Sequence, residues 1–295
     1  MFAATAPLTY LQAIVLGALQ GVTELFPVSS LGHTVLLPGL LGWDNLVKAQ
    51  SQPESFFLAF VVGLHVATAI ALLVYFWRDW DRIIRGFFRS LRARKMDDDP
   101  DARLAWLIVL GTIPVGLVGL VFEHPLRTLF AKPEAAAIFL MINGLILLGG
   151  EWLRRRDDAH AGSGKAPRRA LATLHPVEGV VVGSSQILAL FAGISRSGVT
   201  MVAGLLRGLS HEDAARFSFL LATPVILLAG LYKIPDLMGS NGNGIRGQVV
   251  VGSIAAGIAA YVSVRFLLKY FETRTLTPFA IYCLAMGAFC VVRFA

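Results

Sequence analysis

The sequence predicts an all-α integral membrane protein. Three observations carry that expectation. Of 295 residues, 56% are hydrophobic and only 15% are charged, and mean hydropathy is +0.67. A soluble domain carries roughly 25% charged residues, so the missing charge points to lipid as the solvent. Six long runs contain no charged residue at all. Two further apolar stretches hold their polar residues in the middle, beside helix breakers.

The six runs define six spans. Ser55–Trp77 lies between Glu54 and Arg78, and Leu104–Phe122 between Arg103 and Glu123. Ala135–Gly150 lies between Glu134 and Glu151, and Phe217–Tyr232 between Arg216 and Lys233. Gly247–Val264 and Thr275–Val292 are closed off by arginines at both ends. Each approaches the ~20 residues a helix needs to cross hydrocarbon, and flanking Arg and Lys can snorkel to extend the shorter ones.

The two remaining stretches are Met1–Trp43, charged only at Glu24 and potentially at His33, and Gly179–Leu206, charged only at Arg196. Pro27 and Gly32 interrupt the first, and Gly193 and Gly198 the second. Irregular backbone at membrane depth is tolerated only where protein or a watery cavity surrounds it. Both stretches are therefore read as re-entrant helix–loop–helix hairpins. Two full spans is the competing reading of the first. Sliding one stretch by 166 positions superposes Gly17 on Gly183, Gln20 on Gln186, Ser29 on Ser195, Gly32 on Gly198 and Thr34 on Thr200. The chain is thus expected to be one polytopic domain, 1–295, made of two repeats. Repeat A covers about 1–156 with its hairpin at about 8–43; repeat B covers about 170–295 with its hairpin at about 175–207. Each holds a hairpin plus three transmembrane helices. Three is odd, so the second half runs inverted relative to the first.

The net charge of +7 does not imply nucleic acid, because no soluble module is left to bind it. Arg78–Arg103 and Arg154–Arg169 hold 8 and 6 of the 26 basic residues. Two spans separate them, so they share one side, expected to be cytoplasmic. The Glu123–Glu134 loop and both termini then lie outside. Lys95–Asp101 and Ala159–Pro167 read as solvated linkers, and Met238–Gly247 as an external turn. The first basic residue is Lys48, so no cleavable signal peptide is expected. Cys283 and Cys290 stand seven apart on a helix, about 10 Å along its axis, and read as packing residues.

The chemistry lies in the two interrupted stretches. Gln20 and Glu24 share a helical face; Pro27 ends that helix; Ser29, Ser30, Gly32 and His33 follow on the turn. A carboxylate in a membrane is costly and is kept where something uses it. In the second stretch small residues flank one arginine: Gly193, Ser195, Arg196, Ser197, Gly198. Glycine lets backbone approach an anion, arginine grips phosphate oxygens bidentately, and a helix starting near Ser197 adds its dipole. If the stretches meet, Glu24, Ser30 and His33 face Arg196. Arg196 would then bind a transferring phosphoryl group, Ser30 or a water would attack, and His33 would shuttle a proton. Glu24 would act as base, or would hold Mg²⁺ or Ca²⁺ against the substrate, leaning on substrate oxygens and water. Ser29, Gly32, Gly193, Ser195, Ser197 and Gly198 are the candidate substrate-binding positions. His65, alone in an apolar span, reads as a helix-packing residue, and Trp77, Trp80 and Trp152 as interfacial anchors.

Gln20–Glu24 with Pro27–Val–Ser–Ser30–Leu–Gly–His33 resembles the first motif of bacterial undecaprenyl-pyrophosphate phosphatases, the bacitracin-resistance family. Gly193–Ile–Ser–Arg196–Ser–Gly198 resembles their second motif, and Phe217–Pro224 and Pro278–Tyr282 resemble further family segments. Gln20 stands where many members have glutamate, and Ala192 where many have proline. The resemblance implies an inner-membrane enzyme with the inverted-repeat fold, its site facing the periplasm. Its substrate would be a C55 isoprenyl pyrophosphate, cleaved to the monophosphate to recycle the lipid carrier for peptidoglycan synthesis. Bacitracin would compete for that lipid. It implies a divalent cation, Mg²⁺ or Ca²⁺, an acidic motif at Gln20 and Glu24, a serine and histidine at Ser30 and His33, and a phosphate-binding arginine at Arg196. A homodimer is left open. The alternatives are a polyprenyl-phosphate flippase or transporter, since inverted repeats also build carriers, and a structural scaffold.

Overall fold

The computed structural model describes residues 8–50, 55–95, 99–130, 132–160, 169–239 and 244–294, with backbone alone at 123–130, 158, 160 and 234–238. Apolar runs that must satisfy their own backbone in lipid become helices. The first polar stretch forms α1 (Tyr10–Thr23) and α2 (Ser30–Leu40), followed by the short α3 (Asp44–Gln50). Next come α4 (Phe56–Tyr75), α5 (Trp77–Ala93), α6 (Pro100–Phe130) and α7 (Pro133–His160). The second polar stretch forms α8 (Pro176–Ser184), a 3₁₀ turn (Ser185–Leu190) and α9 (Arg196–Leu205), and α10 (His211–Met238), α11 (Arg246–Phe271) and α12 (Thr277–Phe294) close the chain. Among the described residues the one extended pairing is an isolated bridge between Arg169 and Leu209.

Among the described residues six helices are long and apolar enough to cross a membrane: Phe56–Tyr75, Pro100–Phe122, Pro133–Asp157, His211–Lys233, Arg246–Phe271 and Thr277–Phe294. They coincide with the six uncharged runs, and the chain is a multi-pass membrane protein. By contrast α1 has 14 residues, α2 11, α8 9 and α9 10. At 1.5 Å per residue each reaches only about 14–21 Å, short of the ~30 Å hydrocarbon thickness.

Two segments differ from the sequence reading. Arg78–Arg94 is not a loop. Ile83, Gly86 and Ser90 of α5 turn inward, and the Trp106 indole donates to the Ser90 hydroxyl at 3.0 Å. Ile84, Phe88 and Leu91 stay exposed on the adjoining face while Arg85, Arg89 and Arg92 project beyond them. The apolar residues recur at three- and four-residue intervals, the helical period that the high charge obscured. The Glu123–Glu134 loop is also shorter than expected, because α6 continues to Phe130. The linkers at 95–101 and 159–167 and the turn at 238–247 lie partly or wholly outside the described residues.

The packing is reciprocal. α1 lies along α11, α8 lies along α6, α4 pairs with α10, and α7 pairs with α12. Glycine permits backbone-to-backbone approach in the first two of these pairs of helices. A Cβ on Gly17 would sit 2.2 Å from the Gly252 carbonyl oxygen, and one on Gly183 would sit 2.1 Å from that of Gly111. Small–small contact replaces hydrophobic drive between helices in lipid. Glu151 on α7 holds the helix ends opposite: its carboxylate accepts from His211 Nε2 at 2.5 Å and from the Leu276 N–H at 2.9 Å. Outward faces carry Leu117, Leu120, Ile254, Ile258 and Phe289, all exposed to lipid. Cys283 and Cys290 are buried and unbonded to each other, as their spacing requires. Trp77 and Trp152 are exposed, whereas Trp80, on α5 itself, is half-buried.

The glycine contacts are testable. Gly183→Val is expected to lower stability by about 3 kcal/mol or more, as overpacking against backbone does. Gly119→Ala, whose Cβ meets nothing within 4 Å, leaves stability unchanged or raises it. Thermal unfolding of both variants in detergent reads the difference.

Candidate active site

α1 stops at Thr23 because Pro27 follows, and the chain turns through Glu24–Val28. Ser29 then caps α2 from a left-handed backbone, φ +71°. That conformation costs about 1–3 kcal/mol in a non-glycine residue and persists only when surroundings enforce it. Its hydroxyl oxygen shows what enforces it: it accepts from the Gly32 N–H and from the Gly193 N–H of the second loop, each at 3.2 Å. The loops touch at their glycines. A Cβ on Gly32 would lie 2.8 Å from the Gly193 Cα, and one on Gly193, itself at φ +110°, would lie 2.4 Å from the Ala136 carbonyl oxygen on α7.

The contact brings a charge cluster together. Arg196 Nη2 donates to Glu24 Oε1 at 2.8 Å. Glu24 Oε2 accepts from the Ser30 hydroxyl at 2.5 Å and from Gln20 Nε2 at 3.0 Å. His65 Nε2 stands 3.4 Å from the same oxygen. Glu24, Ser30 and Gln20 are buried, and the Arg196 side chain is 12% exposed. Two polar atoms in this cluster are buried without a hydrogen-bond partner: Arg196 Nη1 and Gln20 Oε1. Buried polar atoms are seldom left unpaired, so each calls for a partner the protein does not supply, an ordered water or a ligand atom.

The second loop is largely occupied by its own bonding. Ser195 caps α9, its hydroxyl oxygen accepting from the Gly198 N–H at 3.1 Å and lying 3.0 Å from the Ser197 hydroxyl. Ser197 in turn donates to the Phe26 carbonyl at 3.3 Å. The Ser195 N–H is taken by Asn143 Oδ1 at 3.0 Å, and Asn143 Nδ2 donates to the Pro27 carbonyl at 3.0 Å. The Gly193 N–H therefore serves the loop–loop contact, the Ser195 N–H serves it through Asn143, and the Gly198 N–H serves the cap of α9. A buried N–H must be paired, and these found partners inside the protein first.

Of the expected residues, Gln20, Glu24, Ser30 and Arg196 converge, and Ser29, Gly32, Gly193, Ser195, Ser197 and Gly198 build the joint beneath them. His33 does not join Glu24. Its Nδ1 bonds the Ser29 carbonyl at 2.7 Å, and its Nε2 meets the Tyr282 hydroxyl at 2.8 Å. The i−4 carbonyl captures the ring and turns it toward α12. The histidine at Glu24 is His65, read from sequence as a packing residue. Its Nδ1 does make the helix bond, to the Val61 carbonyl at 2.9 Å, which leaves Nε2 aimed at the carboxylate. A lone imidazole inside an uncharged span was the available signal. Asn143 and Tyr282 were likewise missed as site residues.

A family model described as bacitracin resistance protein BacA matches residues 13–289. The chain belongs to the BacA family. Among BacA relatives, the undecaprenyl-diphosphatase of Mycolicibacterium paratuberculosis is 60% identical, covering 99% of both chains. Undecaprenyl-diphosphatase 2 of Frankia alni is 56% identical over 98% of each chain, and that of Chromobacterium violaceum 44% identical over 94% of this chain and 96% of the relative. Every motif that carries the BacA resemblance lies inside the matched region.

The Glu24–Arg196 pair is open to a cycle. Removing one partner strands a buried charge and is expected to cost about 3–5 kcal/mol in Glu24→Leu or Arg196→Met alone. The double variant recovers most of that loss. Unfolding midpoints of the three variants in detergent check it.

Proposed function

We propose that this protein is an undecaprenyl-diphosphatase, hydrolysing the terminal phosphate of a polyprenyl pyrophosphate at the Glu24–Ser30–Arg196 cluster. The observation that carries this is the buried, unpartnered Nη1 of Arg196 beside a serine hydroxyl held 2.5 Å from a carboxylate. The names of the relatives point the same way.

In this reading Arg196 releases part of its hold on Glu24 and forks onto phosphoryl oxygens, stabilising the charge that develops in transfer. Ser30 Oγ attacks the terminal phosphorus while its proton passes to Glu24. The bond to the bridging oxygen breaks and the lipid monophosphate leaves. Water then hydrolyses the phosphoserine. Direct attack by water held at Glu24 is the variant of the same scheme. His65 steadies the carboxylate, and His33, tied to Tyr282, holds the first turn in place of shuttling a proton at Glu24.

The donor set suits a hard cation brought in with the pyrophosphate. Glu24 and the orphaned Gln20 Oε1 are oxygen ligands, and among the described residues no group of three or more His, Cys, Asp or Glu forms a cage. Mg²⁺ accepts such a site, taking one or two protein oxygens and completing its shell with phosphates and water. When bound it would offset the pyrophosphate charge; Ca²⁺ is the second choice.

The repeat belongs to the same proposal. The positions matched by a shift of 166 play equivalent local parts. Ser29 and Ser195 cap α2 and α9, and Thr34 and Thr200 bond the carbonyls of Ser30 and Arg196 at 2.6 and 2.8 Å. With reciprocal packing and short helices, these support two inverted halves with re-entrant hairpins. The basic stretches support a reading in which α5 lies on the cytoplasmic side of the cell inner membrane and the termini on the periplasmic side, toward which the site would open. The isoprenyl tail stays in lipid while the pyrophosphate enters from the side. Bacitracin would compete for that lipid.

The purified full chain in detergent is expected to release phosphate from a polyprenyl pyrophosphate with Mg²⁺ and to stop with chelator. Arg196→Ala is expected to lower kcat by about 10²–10³-fold, and Ser30→Ala by at least as much. No release from a folded, monodisperse wild type would move the reading to a carrier that binds the lipid without cleaving it.

A further inference from the structure

We propose that Asn143 is a positioning residue that sets the distance between Ser30 and Arg196, an inference that rests on the phosphatase reading of that cluster. Asn143 is the lone strongly polar side chain in the uncharged run Ala135–Gly150 and is fully buried. Its amide tip touches both polar loops at once. Oδ1 accepts from the Ser195 N–H at 3.0 Å, one residue before Arg196. Nδ2 donates to the Pro27 carbonyl at 3.0 Å, three residues before Ser30, and also faces Cys283 Sγ at 3.3 Å.

The two loops come from sequence positions far apart, and neither can close on itself. The chain leaves the helical ladder at residues 24–28, so the Pro27 carbonyl has no helical partner and needs a donor from elsewhere. The Ser195 N–H stands just ahead of α9 and needs an acceptor. One side chain must therefore offer a donor and an acceptor at the same depth, on a helix that both loops contact. A side-chain amide carries both on one tip, an N–H₂ donor beside a carbonyl acceptor. α7 is the common support: the second loop approaches its backbone at Ala136, and a Cβ on Gly198 would lie 3.3 Å from Asn143 Oδ1. Asn143 does not reach Glu24, Ser30 or Arg196 through any hydrogen bond of its own; it acts by holding the two turns that carry them.

Asn143→Asp separates this role from general packing. The aspartate keeps an acceptor for the Ser195 N–H but turns an oxygen toward the Pro27 carbonyl, so the first loop is pushed away. Cys283→Ala is the control, because it removes the thiol that the same amide faces, together with that thiol's long 3.9 Å contact to the Pro27 carbonyl, while leaving both Asn143 bonds in place. The full chain in detergent is assayed for phosphate release, with kcat and KM separated and thermal midpoints measured in parallel. A displacement of about 1 Å between reacting groups costs on the order of 100-fold. Asn143→Asp is expected to lose kcat by about that factor with KM changed less than about threefold, and Cys283→Ala to stay within about twofold of wild type. Wild-type kcat in Asn143→Asp overturns the proposal. Equal loss in both variants also overturns it, since that reports packing between α7 and α12. If Asn143→Asp does not fold, Asn143→Ser, which retains a shorter hydroxyl, reads the same split; failure of both to fold beside a folded Cys283→Ala makes Asn143 a folding residue and overturns the proposal. Absence of release from wild type sinks the phosphatase reading itself, an outcome distinct from an active wild type with an unaffected Asn143→Asp.

Discussion

Two breaks in helical hydrogen bonding, between α1 and α2 and ahead of α9, lie among apolar helices where water cannot repair them. Each break frees donors and acceptors that must be paired inside the protein, at a cost of several kcal/mol apiece if they are not. The two breaks repair each other. The Ser29 hydroxyl receives the Gly193 N–H, the Phe26 carbonyl receives the Ser197 hydroxyl, and Glu24 receives Arg196. Around the Glu24–Arg196 pair, one guanidinium nitrogen and one amide oxygen are still without a protein partner after that exchange.

The surrounding helices exist to make that exchange geometrically feasible. Reciprocal glycine contacts, Gly17 on Gly252 and Gly183 on Gly111, let α1 and α8 sink against α11 and α6 so that both loops arrive at one depth. The strained backbone at Ser29 is a consequence of the same demand. A residue with a hydroxyl was needed at the crossing point, so the chain accepts a left-handed conformation there in place of a glycine. Arg196 and Glu24 neutralise each other, so neither charge is left unpaired in a low dielectric. In the proposed reaction an anionic substrate would compete with Glu24 for the same guanidinium.

Most of the architecture was legible because lipid removes alternatives. A run without charge must be a helix, so the six spans followed from composition, as did the all-α class. The polar clusters stood out for the same reason. Gln20, Glu24, Ser30 and Arg196 could be nominated because a carboxylate and a guanidinium in apolar surroundings demand an explanation. α5 was not legible, since its charge resembled that of a solvated loop and its apolar period lay beneath it. The identity of the histidine was not legible either. His33 stands next to the serine in sequence, while His65 stands next to the carboxylate in space.

What the sequence determined by itself was therefore which segments enter the membrane and which side chains are too polar to be there without a partner, because the transfer cost of each group depends on its own chemistry. Tertiary structure alone decided which partner each one took. Ser29 against Gly193, His65 against Glu24 and Asn143 between Pro27 and Ser195 join residues separated by tens to more than a hundred positions. Such pairings depend on the relative depth and rotation of packed helices, which hydropathy does not encode. They were set by where glycine allowed backbone to approach backbone, and by the requirement that every donor freed at one break meet an acceptor at the other.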